Sequence, residues 1–112
     1  MPVTNAKVLQ YAFLSGMYED PYFPDALVDR ARDVLLRLCA SIEREAPAGL
    51  AALYVLTHAA TEEINALESA FEEAGSEIET AARECFAEDF EFIASAYGFE
   101  ADYEELIAPR NW

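Results

Sequence analysis

The sequence has few of the residues from which catalytic and metal sites are usually built. It contains one histidine, two cysteines and four glycines in 112 residues, and no GxSxG, Walker or GxGxxG sequence. A di-iron bundle needs two Glu-x-x-His steps, whereas the residue three before the single His58 is Val55. These absences argue against an enzyme, and we expect no metal ion and no cofactor.

Long apolar runs are also missing. No segment reaches the roughly 18 to 20 apolar residues that span a bilayer, and MPVTNAK at the start lacks the apolar run of a signal peptide. Cys39 and Cys85 have no CxxC spacing and no adjacent basic residue. We therefore expect a cytoplasmic protein without a membrane segment, in which both cysteines are small buried hydrophobic residues.

Positive charge is scarce in the second part of the chain. Residues 1–45 contain seven acids and five bases, whereas residues 46–112 contain fifteen acids and only Arg83 and Arg110, within a net charge of −15. Negative charge of this size repels nucleic acid and anionic membranes, so we expect no direct contact with either. It favours a basic protein as the partner, although the acids could equally form an ordinary solvated surface.

Apolar and aromatic residues, in contrast, are plentiful. Hydrophobic residues make up 54% of the chain, with seven Phe, six Tyr and one Trp, a composition that disordered acidic chains lack. A chain of this length forms one core. We therefore predict that residues 1–112 fold as a single helical domain.

Apolar residues recur at helical spacing along most of the chain, and no stretch alternates as a strand would. Thr4 can cap the first helix, Pro24 suits the first turn of the second, Gly75 can stop the third, and Ser76 with Glu79 forms a capping box for the fourth. The first predicted helix spans residues 4–18, the second begins at Pro24 with an apolar stripe to Ile42, the third runs from Leu50 to the stop at Gly75, and the last two span residues 76–98 and 102–107. Short connections predict a compact antiparallel all-α bundle of about four main helices plus a short C-terminal helix.

Carboxylates of like charge stand one turn apart on the later helices, for example Glu84 with Glu88. Each such pair costs about 0.2–0.5 kcal/mol on an exposed helix, and a surface kept at a cost indicates a use in binding. A turn between two prolines adds aromatic residues that could anchor a partner, or could simply cover the end of the core. The predicted contacts are Glu68, Glu72, Glu73, Glu77, Glu84, Glu88 and Glu91, with Tyr18, Tyr22 and Phe23 as anchors.

These features favour a small acidic protein-binding module, an inhibitor or immunity or antitoxin-type protein that covers a basic surface of its partner. Two alternatives remain open. His58 stands four residues before Glu62, so the two could form a metal or acid/base site, or His58 could tie its helix to a neighbour by hydrogen bonds. A homo-oligomeric structural protein could use the apolar residues outside the main stripes, which are Tyr11, Leu14, Leu36 and Leu56.

The segments GMYEDPYFPD, LYVLTHAATEEINALE and GSEIETAARECFAEDFEFIA, with the closing residues 103–112, resemble an uncharacterised family of small acidic bacterial proteins, a domain of unknown function. The resemblance covers nearly the whole chain. It implies a single intracellular domain and supplies no catalytic residue.

Overall fold

Helices make up all the regular structure of residues 3–112, the part of the chain that the computed structural model describes. They are α1 (Ala6–Leu9), α2 (Ser15–Glu19), α3 (Asp25–Glu45), α4 (Leu50–Asn65), α5 (Glu68–Glu73), α6 (Thr80–Ala96) and α7 (Tyr103–Leu106). The prediction of an all-α bundle is confirmed. The three long helices α3, α4 and α6 lie within or close to the second, third and fourth predicted helices.

One continuous core joins these helices. The apolar stripe of α3 is buried as the sequence predicts, from Val28 to Ile42, and α3 packs against α4. The largest buried side chains are Phe71, Phe86 and Phe90, which come from α5 and α6. A fully buried aromatic or aliphatic side chain stabilises the fold by about 1.5–3 kcal/mol, so this core holds α6 in a fixed position.

The prediction of one helix over residues 4–18 is wrong. Asn5 rather than Thr4 caps α1, and a non-helical segment separates α1 from α2. Leu14 has a left-handed backbone (φ 56°), and its amide N–H donates to Oδ2 of the buried Asp89 at 2.7 Å. The Tyr11 hydroxyl donates to Oδ1 of the same carboxylate at 2.7 Å. Asp89 therefore replaces the helical partner that the Leu14 amide gives up, and its other oxygen binds the Tyr11 side chain.

The capping box predicted for the fourth helix is also wrong. Ser76 is buried, its amide N–H donates to the Phe71 carbonyl at 2.9 Å, and its hydroxyl makes no hydrogen bond within residues 3–112. Glu79 occupies the N-cap position of α6. The predicted third helix is divided into α4 and α5, and Pro24 is the N-cap of α3 rather than part of its first turn. Asp102 caps α7 by accepting from the Glu104 amide at 3.0 Å.

The two thiols are free. Cys39 is fully buried, and burial raises the pKa of its thiol to about 12, so it behaves as a hydrophobic residue, as predicted. Cys85 is only partly buried. No helix among the described residues has both the length and the apolar composition to cross a membrane.

A candidate partner-binding groove between α6 and the C-terminal segment

A groove of about 320 Å³ lies between α6 and the segment that contains α7. Glu84, Glu88 and Glu91 line it at four and three residue steps, which place all three on one face of α6. Tyr103 and Ile107 contribute the opposite wall. The sequence predicted these three carboxylates as partner contacts, and the structure brings them into one depression.

Arg83 and Arg110 line the same groove. The Nε atom of each is buried and makes no hydrogen bond among the described residues. The ion pairs of residues 3–112 are Arg37–Glu63 and Arg44–Glu45, so neither groove arginine is neutralised by a carboxylate. An unsatisfied buried donor costs about 1–3 kcal/mol, and most buried donors in folded proteins are therefore hydrogen-bonded. The Nε–H groups of these two arginines are exceptions.

Helix α4 holds the wall that carries Arg110. The Asn65 side chain donates to the Pro109 carbonyl at 3.0 Å and accepts from the Asn111 amide at 3.0 Å. Two turns earlier on α4, His58 Nε2 lies 2.7 Å from the Glu105 carbonyl oxygen. Because a carbonyl can only accept, Nε2 carries the proton. The side chains of His58 and Asn65 thus hold the C-terminal segment against α4, the first at Glu105 and the second on either side of Arg110.

The predicted pairing of His58 with Glu62 is not formed. His58 donates to the Glu105 carbonyl and stacks on Tyr54, with ring centroids 5.9 Å apart. The Glu62 carboxylate accepts from Asn65 at 3.1 Å. No group of three or more His, Cys, Asp or Glu side chains suited to a metal ion occurs among residues 3–112. The contacts of His58 fit the alternative in which it ties its helix to a neighbour.

A second acidic group lies at the corner between α5 and α6. The pKa of Glu77 is raised, first by a hydrogen bond shared with Glu79, then by the negative charges of Glu79 and Glu72. All three are exposed. Glu68 and Glu73 lie on the adjoining α5, and none of the five lines the groove. The seven predicted contacts therefore divide into three in the groove and four in this corner group, which Glu79 joins.

The three predicted aromatic anchors lie away from the groove. Tyr22 is 45% exposed and packs edge to face on Phe23, with centroids 5.0 Å apart. Phe23 itself is 4% exposed and contacts Phe71, so it belongs to the core and supports Tyr22. Tyr18 is half-buried, and its hydroxyl donates to Asp29. Of the three, only Tyr22 presents a free ring surface.

The apolar residues predicted for a homodimer are largely committed within the chain. Leu14 is 1% exposed, and Tyr11 bonds to Asp89. Leu36 and Leu56 are partly buried against the core. The large apolar side chains with more than half their surface exposed are Leu9 and Val55, among the described residues.

Sequence reasoning did not single out Arg83 or Arg110 as site residues. A signal was present, because they are the only bases after residue 45. What the sequence could not show is that both side chains reach one groove, since 27 positions separate them.

A family model described as "Family of unknown function (DUF5713)" matches residues 7–112. No curated protein and no solved structure gives a significant match.

Proposed function

The chain belongs to DUF5713, a family of unknown function, and we propose that it is a small acidic protein-binding module that covers a basic surface of a partner protein. In this proposal the chain is an inhibitor, or an immunity or antitoxin-type protein, and it acts in the cytoplasm. The observation that carries this proposal is the groove in which Glu84, Glu88 and Glu91 lie on one face of α6 and make no ion pair with any residue from 3 to 112.

Unpaired carboxylates in a depression are well suited to a basic partner. Each of the three is exposed and makes no ion pair within residues 3–112. These carboxylates outnumber Arg83 and Arg110 in the groove, and a depression with an excess of one sign of charge concentrates the field and speeds the encounter with the opposite charge. Complementary charge also discriminates against wrong partners more than it adds affinity.

The apolar part of the groove suits the stem of a long basic side chain. Ala87 and Ile107 line it, and Tyr103, at the rim, is 41% exposed. Lysine and arginine bury their methylene stems against apolar surface while their charge stays near carboxylates. A cation over a tyrosine ring gains about 0.5–1 kcal/mol at an exposed site. The groove thus offers contacts for the stem and for the charge of a Lys or Arg side chain.

The corner group extends the acidic surface beyond the groove. A stable interface covers about 800 Å² of each partner, which is more than one groove of this size supplies. The group around Glu72 and Glu77 widens the field that a basic partner meets. We therefore place the groove at the centre of the contact and the corner group at its rim, where charge acts mainly on the association rate.

Neutralising the groove carboxylates tests the proposal. The triple variant Glu84→Gln, Glu88→Gln, Glu91→Gln, the wild type and a control are tagged and used to capture proteins from a lysate of the source organism at low salt, with mass spectrometry as the readout. We expect the wild type to retain a basic protein that high salt releases, and the groove variant to lose it.

The matched control removes the same charge from α3, at Asp25→Asn, Asp33→Asn and Glu45→Gln, all of which are exposed. The control variant should retain the partner, because its groove is unchanged. Equal capture by the two triple variants would show that only net charge matters and would reject the groove. Capture of a basic protein by neither the wild type nor the control would reject the proposed function.

A further inference from the structure

We propose that Arg83 and Arg110 form an anion subsite inside the acidic groove, and that it receives a carboxylate side chain flanked by lysine or arginine in the partner. This inference rests on the proposed function and specifies the partner segment that the groove accepts. The two arginines and the three glutamates line one depression, so the groove has places for both signs of charge.

The arginines are unusual because they stay unpaired among many acids. Fifteen acids occur in residues 46–112, yet neither Arg83 nor Arg110 makes an ion pair or a side-chain hydrogen bond with any described residue. Their Nε–H groups are buried without an acceptor. Arginine presents its donors as a planar fork that matches a carboxylate in two parallel hydrogen bonds. An incoming carboxylate supplies these acceptors once the two side chains turn their Nε–H groups into the groove.

The surrounding charge restricts which anion can enter. Glu84, Glu88 and Glu91 share the groove with the arginines, so a phosphate with two negative charges meets more repulsion there than a carboxylate with one. A carboxylate that arrives with neighbouring Lys or Arg residues brings the opposite charge for those glutamates. The arrangement therefore favours a protein segment of mixed charge over a free anion.

Both walls of the subsite are fixed before any ligand arrives. Arg83 lies in the first turn of α6, where its amide donates to the Glu79 carbonyl at 2.8 Å. The Arg110 amide donates to the Ile107 carbonyl at 3.0 Å, and Asn65 bonds to the residues on either side of Arg110. These bonds fix the backbone at both arginines, and a fixed backbone loses less entropy on binding than a mobile one does.

Two blocked synthetic peptides test the inference, and they differ only in whether one side chain is a carboxylate or an amide. One is acetyl-Lys-Lys-Asp-Lys-Lys-amide, and the other has Asn in place of Asp. The acidic surface alone predicts that the Asn peptide, which is the more positive, binds more tightly. The subsite predicts the reverse, with the Asp peptide binding at least threefold more tightly, and with shifts of the Arg83 and Arg110 Nε–Hε resonances in ¹⁵N-correlated NMR spectra that the Asn peptide does not cause.

Variants separate this inference from the proposed function. Arg83→Gln with Arg110→Gln should remove the advantage of the Asp peptide and leave binding of the Asn peptide unchanged or stronger. The triple groove variant at Glu84, Glu88 and Glu91 should weaken both peptides. If the double arginine variant does not fold, Arg83→Lys with Arg110→Lys keeps the charge but removes the fork, and should reduce the same advantage.

Tighter binding of the Asn peptide to the wild type, or unmoved arginine resonances with the Asp peptide, would overturn the subsite while leaving the acidic groove in place. Failure of both peptides to bind the wild type at low salt would reject the subsite and the proposed function together.

Discussion

Glu43 accepts several hydrogen bonds that fasten the start of the described chain to the bundle. Its carboxylate accepts from the Thr4 amide at 2.9 Å, from the Thr4 hydroxyl at 2.8 Å and from the Asn5 amide at 3.1 Å. The Tyr97 hydroxyl donates to it as well. These hydrogen bonds, that of Tyr97 first, lower the pKa of Glu43 to about 2.

Replacing Glu43 by Gln should lower the free energy of unfolding at pH 7 by about 2 kcal/mol, the usual contribution of hydrogen bonds to a charged group. A folded-state pKa below the unfolded value stabilises the fold above the unfolded value and ceases to do so as pH falls. The difference in free energy of unfolding between wild type and Glu43→Gln should therefore be largest above pH 4.5 and should disappear as the pH falls towards 2. Urea unfolding at several pH values measures it.

Glu45 provides the comparison for that measurement. It lies on the same helix, is exposed, and pairs only with the neighbouring Arg44. Exposed pairs of this kind contribute about 0–1 kcal/mol, so Glu45→Gln should change stability little at any pH. Equal losses in the two variants would show that the Glu43 hydrogen bonds do not hold the N-terminal segment.

For single residues, the sequence shows which side chains are charged, but it does not show which groups those side chains contact. Asp89 is only 4% exposed although its side chain carries a carboxyl group. Its donors, Tyr11 and the Leu14 amide, lie 78 and 75 positions away. No local pattern encodes such contacts, which is also why the break between α1 and α2 was missed.

Helix α3 ends in a conformation that its terminal residue does not favour. Ala46 is the C-cap, with a left-handed backbone (φ 46°, ψ 62°), and its amide donates to the Ile42 carbonyl at 2.9 Å. A left-handed conformation costs a residue with a Cβ about 1–2 kcal/mol, whereas glycine adopts it freely. The backbone conformation at position 46 therefore favours glycine, whereas the residue there is alanine.

We expect Ala46→Gly to stabilise the protein by about 0.5–1 kcal/mol, because relief of the strain outweighs the greater freedom of glycine in the unfolded chain. The same substitution at Ala59, an exposed position inside α4, should destabilise by about 0.5–1 kcal/mol. Thermal unfolding of the two variants compares them directly. Destabilisation at both positions would mean that Ala46 is not strained.

The presence of the long helices was predicted from the sequence more reliably than the residues at which they begin and end. The stripe of α3 repeats without interruption over Val28, Val34, Leu35 and Leu38, and all four are buried, because a periodic apolar face depends on the sequence alone. The end at Ala46 and the start of α6 at Glu79 depend instead on neighbouring helices. Ser76 illustrates this, since its burial against α5 overrides its preference for capping.

The charge of the whole molecule opposes its folding. The chain has 22 acids against 7 bases, and the two ion pairs of residues 3–112 are both well exposed. Most of its negative charge is therefore unpaired and concentrated by folding into a body with a radius of gyration of 13.4 Å. At about 0.1 M salt, charges interact over about 10 Å, so added salt weakens repulsion across much of this surface.

The temperature of unfolding should accordingly rise by several degrees as sodium chloride increases from about 0.02 to about 0.5 M, over which the screening length shortens severalfold. Glu77→Gln should raise that temperature at low salt and pH 7, because it removes one member of the corner group. The gain should shrink at high salt. It should also shrink below pH 4.5, because the raised pKa of Glu77 means that its folded-state carboxyl is already protonated there.

Glu45→Gln again distinguishes a local effect from a general one, since it removes the same charge but also breaks a pair with Arg44. It should give a smaller gain than Glu77→Gln at low salt. If salt lowers the unfolding temperature of the wild type instead, attractive contacts outweigh repulsion, and the acidic surface has no cost that binding a basic partner would relieve.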